Sequence, residues 1–195
     1  MVKNVAIFIY EGVYQLDFSG PMEVFTDAGL AEEAPLFNVY TVSEHRETLR
    51  THTGLQVIPA YSLNDCPPPD ILVVPGGNSN LPAENKALAD WLTETIPTVP
   101  IVMSVCTGAI ILGKLGLLTG LETTTWHGAL DVLQAIEPTA SVKKGVRWTD
   151  NGGMLSTAGI SAGIDGALHL VSRLHGPDVA RRTAEYMDYD YWRGD

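Results

Sequence analysis

The residue of this 195-residue chain best placed for covalent chemistry is Cys106. In Val102-Met-Ser-Val-Cys-Thr-Gly-Ala109 the chain passes from an apolar, strand-like run into a helix-like segment, with the thiol at the corner. The arrangement resembles a nucleophile turn in architecture, though not in its glycines. Exposure to the positive end of a following helix lowers a thiol's pKa below about 8.5 and favours the nucleophilic thiolate. The alternative is a small buried residue filling a tight turn, a common place for free cysteine. Cys66 precedes Pro67-Pro68-Pro69 with no helix start behind it, and reads as structural.

Other groups could serve that thiol. Asp17, in Tyr14-Gln-Leu-Asp-Phe-Ser-Gly-Pro21, follows the first apolar run and could act as general acid or base, or simply as a helix-start or turn carboxylate. Pro75-Gly76-Gly77-Asn78 follows another apolar run, where glycine lets backbone amides approach a ligand. With the Thr107 amide, that of Gly77 could stabilise a developing anion. A Gly-Gly pair alone is as often an empty turn, and no phosphate-binding glycine motif is present. His127 has the composition of a catalytic base but stands where a helix begins. Asp165 and His169, four residues apart, read as a local surface pair.

These residues need a scaffold. A formal charge of −11, from 23 acidic against 12 basic residues, repels phosphate backbones and anionic membranes, so neither nucleic acid nor membrane is an expected partner. The apolar stretch without charge or proline at residues 101–113 is too short to cross a bilayer, and Glu11 interrupts any signal-peptide core. Two cysteines in unlike contexts suggest neither a disulfide framework nor a zinc site, and free thiols fit a cytoplasmic protein. The length suits one domain over residues 1–195.

Four short, nearly continuous apolar runs, at residues 5–10, 37–42, 71–74 and 101–105, fit strands buried on both faces of a parallel sheet. Helix-like stretches lie between and after them, at residues 21–30, 84–96, 108–118 and 128–136. Residues 122–126 read as a short strand, and Asp150-Asn151-Gly152-Gly153 as the turn of a β-hairpin joining residues 142–148 to 154–157. Helices over residues 161–174 and from Pro177 to about Met187 close the pattern. Strand then helix, repeated, predicts an α/β doubly wound, mostly parallel sheet sandwiched by helices. The functional crevice then lies at the carboxyl ends of the strands, where Cys106 falls.

Leu16-Asp-Phe-Ser-Gly-Pro21, Asp65-Cys-Pro-Pro68, Asp70 to Gly77, Ser104-Val-Cys-Thr-Gly108, Gly116-Leu-Leu-Thr-Gly120 and Gly159-Ile-Ser-Ala-Gly-Ile-Asp165 together resemble the ThiJ/PfpI superfamily, also called the Parkinson disease protein family, over nearly the whole chain. Within it, the isonitrile hydratases share the Asp-before-Gly-Pro segment and the Ser-Val-Cys-Thr-Gly turn. The resemblance implies a flavodoxin-like fold, a homodimer, Cys106 as the reactive cysteine, Asp17 as its acidic partner, and the amides of Gly77 and Thr107 as anion stabilisers. It implies no metal and no organic cofactor. Two departures matter. Trp126 stands where the superfamily often carries a histidine, with His127 one residue later, so both are accessory candidates. Thr107 replaces the histidine that follows the cysteine in the peptidase-like branch. The regulators of this superfamily carry an added helix-turn-helix domain, of which residues 1–195 show no counterpart in their pattern, so direct DNA binding is not expected of them.

The leading expectation is a lyase of the isonitrile hydratase type, in which the Cys106 thiolate attacks a small-molecule isonitrile, Asp17 manages protons, and Phe18, Ile110 and Trp126 line the pocket. A glyoxalase-like reaction at the same thiolate would call on a nearby His127. A redox-sensing or stress-response protein would oxidise Cys106 without turnover.

Overall fold

The computed structural model describes residues 1–190; residues 191–195, which the one-domain reading includes, lie outside the described residues. In chain order the elements are β1 (Lys3–Phe8), α1 (Gln15–Ala31), β2 (Phe37–Ser43), β3 (Leu49–Arg50), β4 (Gln56–Val57), β5 (Tyr61–Ser62), β6 (Ile71–Val74), α2 (Asn80–Glu84) and α3 (Lys86–Thr95). They continue as β7 (Ile101–Ser104), α4 (Gly108–Lys114), β8 (Glu122–Thr123), α5 (Leu130–Ile136), β9 (Ser141–Val142), β10 (Trp148–Asp150), β11 (Met154–Thr157), α6 (Ala162–His175) and α7 (Pro177–Tyr186).

The main sheet runs β10-β11-β7-β6-β1-β2-β5. Every neighbouring pair is parallel except the hairpin of β10 and β11. The central strands β1, β6 and β7 are almost wholly buried, which is why their sequences are continuous apolar runs rather than alternating ones. One group of mutually packed helices consists of α1, α6 and α7; the other joins α2, α3, α4 and α5. This is the flavodoxin-like sandwich expected for strands alternating with helices.

The differences from the sequence reading have physical causes. Helix α1 begins six residues before Pro21 and carries that proline inside it. Proline lacks one backbone donor, but Gly20 packs so closely on α6 that an added Cβ would lie 3.0 Å from Ile164, so tertiary packing overrides the local penalty. Residues 84–96 hold the end of α2 and the whole of α3, with Asn85 between them accepting from the amides of Ala87 and Leu88 as the cap of α3. Residues 142–148 are not one strand. Val142 belongs to β9, which pairs with β8 in a separate two-stranded sheet, and the hairpin arm starts at Trp148. Asp165 and His169 do not pair with each other. The buried Asp165 accepts from the Arg147 guanidinium and from Tyr189 Oη, while His169 meets Asp150 at 2.8 Å.

Candidate active site

The carboxyl ends of β1, β6, β7 and β11 converge on one place. After β6 the chain turns through Pro75-Gly76-Gly77, and after β7 it turns at Cys106. Cys106 adopts φ +55°, a left-handed conformation costing an L-residue about 1–2 kcal/mol. The surroundings hold it there. The Cys106 amide donates to Ala158 O at 2.9 Å, and Cys106 O accepts from Thr125 Oγ1 at 2.6 Å. Two glycines make the turn possible: a Cβ on Gly108 would lie 2.0 Å from Val74 O, and one on Gly76 would lie 2.8 Å from Asp17 Oδ2. Strain at a fixed side chain is a common mark of a functional residue.

Asp17, in the first turn of α1, is fully buried. Its Oδ2 accepts from the Gly76 amide at 3.0 Å, while Oδ1 has no nitrogen or oxygen partner among the described residues. The carboxyl and the Cys106 thiol lie close enough to perturb each other's ionisation. Burial raises Asp17 from 3.8 to about 6, opposed by the Gly76 amide and the thiol. Burial, and then the Asp17 charge, raise Cys106 to about 11, opposed by the backbone amides of Ile160 and Thr107, which point at the sulfur. The helix start therefore does not by itself produce a low-pKa thiol. Helix α4 is only seven residues long, and the thiol is 5% exposed, so desolvation and a like charge outweigh the amides.

Groups this strongly coupled titrate as a pair. Near neutral pH the pair holds one proton and one negative charge. With Asp17 at about 6 and Cys106 at about 11, the charge rests mainly on Asp17 and the proton on sulfur, while the Ile160 and Thr107 amides favour the minor form with the charge on sulfur.

Above the sulfur is a cavity of about 210 Å³ lined by Tyr14, Gly77, Cys106, Thr107, Trp126 and Ile160. Among the sequence candidates, Cys106, Gly77, Thr107 and Trp126 line it, and Asp17 sits beneath it. The Gly77 amide donates to Thr107 Oγ1 at 3.0 Å and the Thr107 amide points at the sulfur, so both anion-stabilising candidates already have acceptors. Phe18 and Ile110 pack into the core instead of lining the cavity. His127 lies outside it, exposed, its ring 5.0 Å from that of Trp126 and facing an adjoining groove.

The sequence reading missed Tyr14, Ile160 and His52. Tyr14 reaches the cavity because Val13 bridges Gly77, and its ring stacks on His52 at 4.2 Å. Ile160 has φ +41° in a loop whose glycine-rich spelling gave no hint that one amide aims at the thiol. Among the described residues no cluster of three or more His, Cys, Asp or Glu could hold a metal ion, and no helix is long and apolar enough to cross a membrane.

A parallel sandwich with a strained cysteine at the end of a central strand, paired to a buried carboxyl, defines a class of cysteine-centred α/β proteins. The chain belongs to the DJ-1/PfpI family, whose model matches residues 3–172. It is 32% identical over 193 residues to isonitrile hydratase of Pseudomonas putida, covering 97% of this chain and 79% of that one. It is 29% identical over 152 residues to the HTH-type transcriptional regulator CdhR of Pseudomonas aeruginosa, covering 78% of this chain but 45% of the regulator. Among solved structures, a ThiJ/PfpI family protein from Pseudomonas syringae superposes with a TM-score of 0.88 at 24% identity, covering 97% of this chain and 76% of that one.

Proposed function

We propose that the protein hydrates isonitriles to N-substituted formamides, with Cys106 as nucleophile and Asp17 as proton carrier. The observation that carries this reading is the pair itself: a thiol and a buried carboxyl sharing one proton at the floor of a small, largely apolar cavity. Similarity to an isonitrile hydratase over almost the full chain supports it.

An isonitrile carbon needs a nucleophile and a proton, and the monoanionic pair supplies both. The Cys106 thiolate forms a C–S bond to the terminal carbon while the Asp17 carboxylic acid delivers its proton to that carbon, giving a thioimidate and a carboxylate. Water then adds across the thioimidate C=N bond, its oxygen to carbon and one proton through Asp17 to nitrogen; on collapse the hydroxyl proton passes to Asp17 as the thiolate departs. Cleavage of the C–S bond releases the N-substituted formamide, and the proton balance returns the pair to its starting state. The reaction consumes one water and no redox equivalent, so these steps draw on no metal or organic cofactor. Tyr14, Trp126 and Ile160 shield the intermediate, and the Ile160 and Thr107 amides hold charge on the departing sulfur.

A glyoxalase-like reaction is the poorer reading, because His127 does not line the cavity. We further propose that the protein works as a cytoplasmic homodimer; its acidic charge disfavours nucleic acid. Formamide release from an alkyl and an aryl isonitrile by reduced protein tests the reaction. An unchanged isonitrile overturns it.

A further inference from the structure

Beside the Cys106 cavity lies a second hollow of about 550 Å³, whose walls include Trp126, His127, Leu130, Lys144, Arg147 and Ile160. Trp126 and Ile160 line both spaces, so they form the sill between them. The indole is 39% exposed yet held in place by two glycines: a Cβ on Gly128 would lie 2.5 Å from its ring, and one on Gly159 would lie 2.6 Å from it. Trp126 is thus a fixed aromatic wall.

The groove's charge is opposite to that of the molecule. The chain carries −11, yet no Asp or Glu lines this groove, whereas Lys144 and Arg147 do. Arg147 is neutralised from behind by the buried Asp165. Lys144, by contrast, forms no ion pair among the described residues. The groove therefore offers an apolar floor from Trp126, Leu130 and Ile160, an uncompensated ammonium at its rim, and the His127 ring nitrogens for hydrogen bonding. A cavity of about 210 Å³ holds the isonitrile group with a small substituent. A larger substituent extends into the adjoining groove across the Trp126–Ile160 sill.

We propose that this groove binds the substituent of the substrate and selects isonitriles whose apolar or aromatic substituent ends in a carboxylate, with Lys144 as the cation that recognises it. This inference rests on the isonitrile reading of the Cys106 site and adds the substrate class. Attraction between an ammonium and a carboxylate in a half-open groove is screened by salt over about 8–10 Å, so the preference weakens as ionic strength rises.

The test compares kcat/KM for 4-isocyanobenzoate and for neutral phenyl isonitrile, in wild type, Lys144→Ala and Lys144→Gln. The expected result is a wild-type preference for the carboxylate that falls about tenfold in both variants and declines with added salt. A carboxylate-to-neutral ratio unchanged by either substitution overturns the assignment. If neither isonitrile is hydrated, the isonitrile reading fails separately, and calorimetric binding of the two matched formamides, 4-formamidobenzoate and formanilide, still reads the groove. Preference for the carboxylate that is lost in Lys144→Ala supports an anion-selective site; equal binding of the two compounds overturns it.

Discussion

Replacing Asp17 with asparagine should make the protein more stable at neutral pH while removing the proposed proton carrier. Asp17 is raised from 3.8 to about 6 in the folded chain, so it is the ionised form that folding disfavours. Below pH 3.8 the carboxyl is protonated in both folded and unfolded chains, and no penalty exists. The penalty grows as pH rises towards 6 and is fully present above it, at about 3 kcal/mol. Asparagine matches the shape, carries no charge, and keeps an oxygen that can accept from the Gly76 amide in place of Oδ2. The substitution should therefore gain up to about 3 kcal/mol at pH 7.5 and close to nothing at pH 3.5. For a chain of this size that is a rise in Tm of about 6–12 °C at the higher pH. Urea and thermal unfolding of both proteins at the two pH values, at equal protein concentration, measure it. Because steric effects of the substitution are the same at both pH values, the difference between the two gains isolates the charge. An equal gain or loss at both values would refute the claim that Asp17 is held against its own ionisation.

Alkylation of Cys106 by iodoacetamide should rise with pH towards a midpoint of about 11 in the wild type, and in Asp17→Asn the midpoint should fall because the neighbouring charge is gone; an unmoved midpoint in the pH–rate profile would contradict the coupling. Gly108→Ala drives a Cβ against Val74 O and should destabilise by at least about 3 kcal/mol, read as a lower urea midpoint or loss of soluble protein. Arg147→Ala leaves the buried Asp165 without its guanidinium and should lose about 1–3 kcal/mol, whereas Arg181→Ala, breaking an exposed pair within α7, should lose under about 0.5 kcal/mol. Equal losses in the two variants, measured by urea unfolding, would contradict the distinction.

Much of the scaffold is legible in the sequence because burial on both faces forces a recognisable spelling. Strands β1, β2, β6 and β7 are near-continuous apolar runs, and a nucleophile at the end of one follows from the doubly wound pattern. The two-residue strands β3, β4, β5 and β9 escape notice because pairing, not composition, defines them. Proline 21 misplaces the start of α1 because its local rule is overruled by packing on α6. At the site, Cys106 and Asp17 stand out by residue type and by family resemblance, but Ile160 acts through a backbone amide, which has no signature in the sequence. Nor does helix position reveal the direction of the Cys106 pKa, since burial and a carboxylate 89 positions away in sequence decide it.

The most direct test of the central claim is formamide production from an aryl and an alkyl isonitrile by the reduced wild type, beside Cys106→Ala and Asp17→Asn. The thiol–carboxyl account predicts turnover by the wild type and its loss in both variants, with each variant still folded. Formamide release undiminished in Cys106→Ala, or none from a folded and reduced wild type, would contradict it.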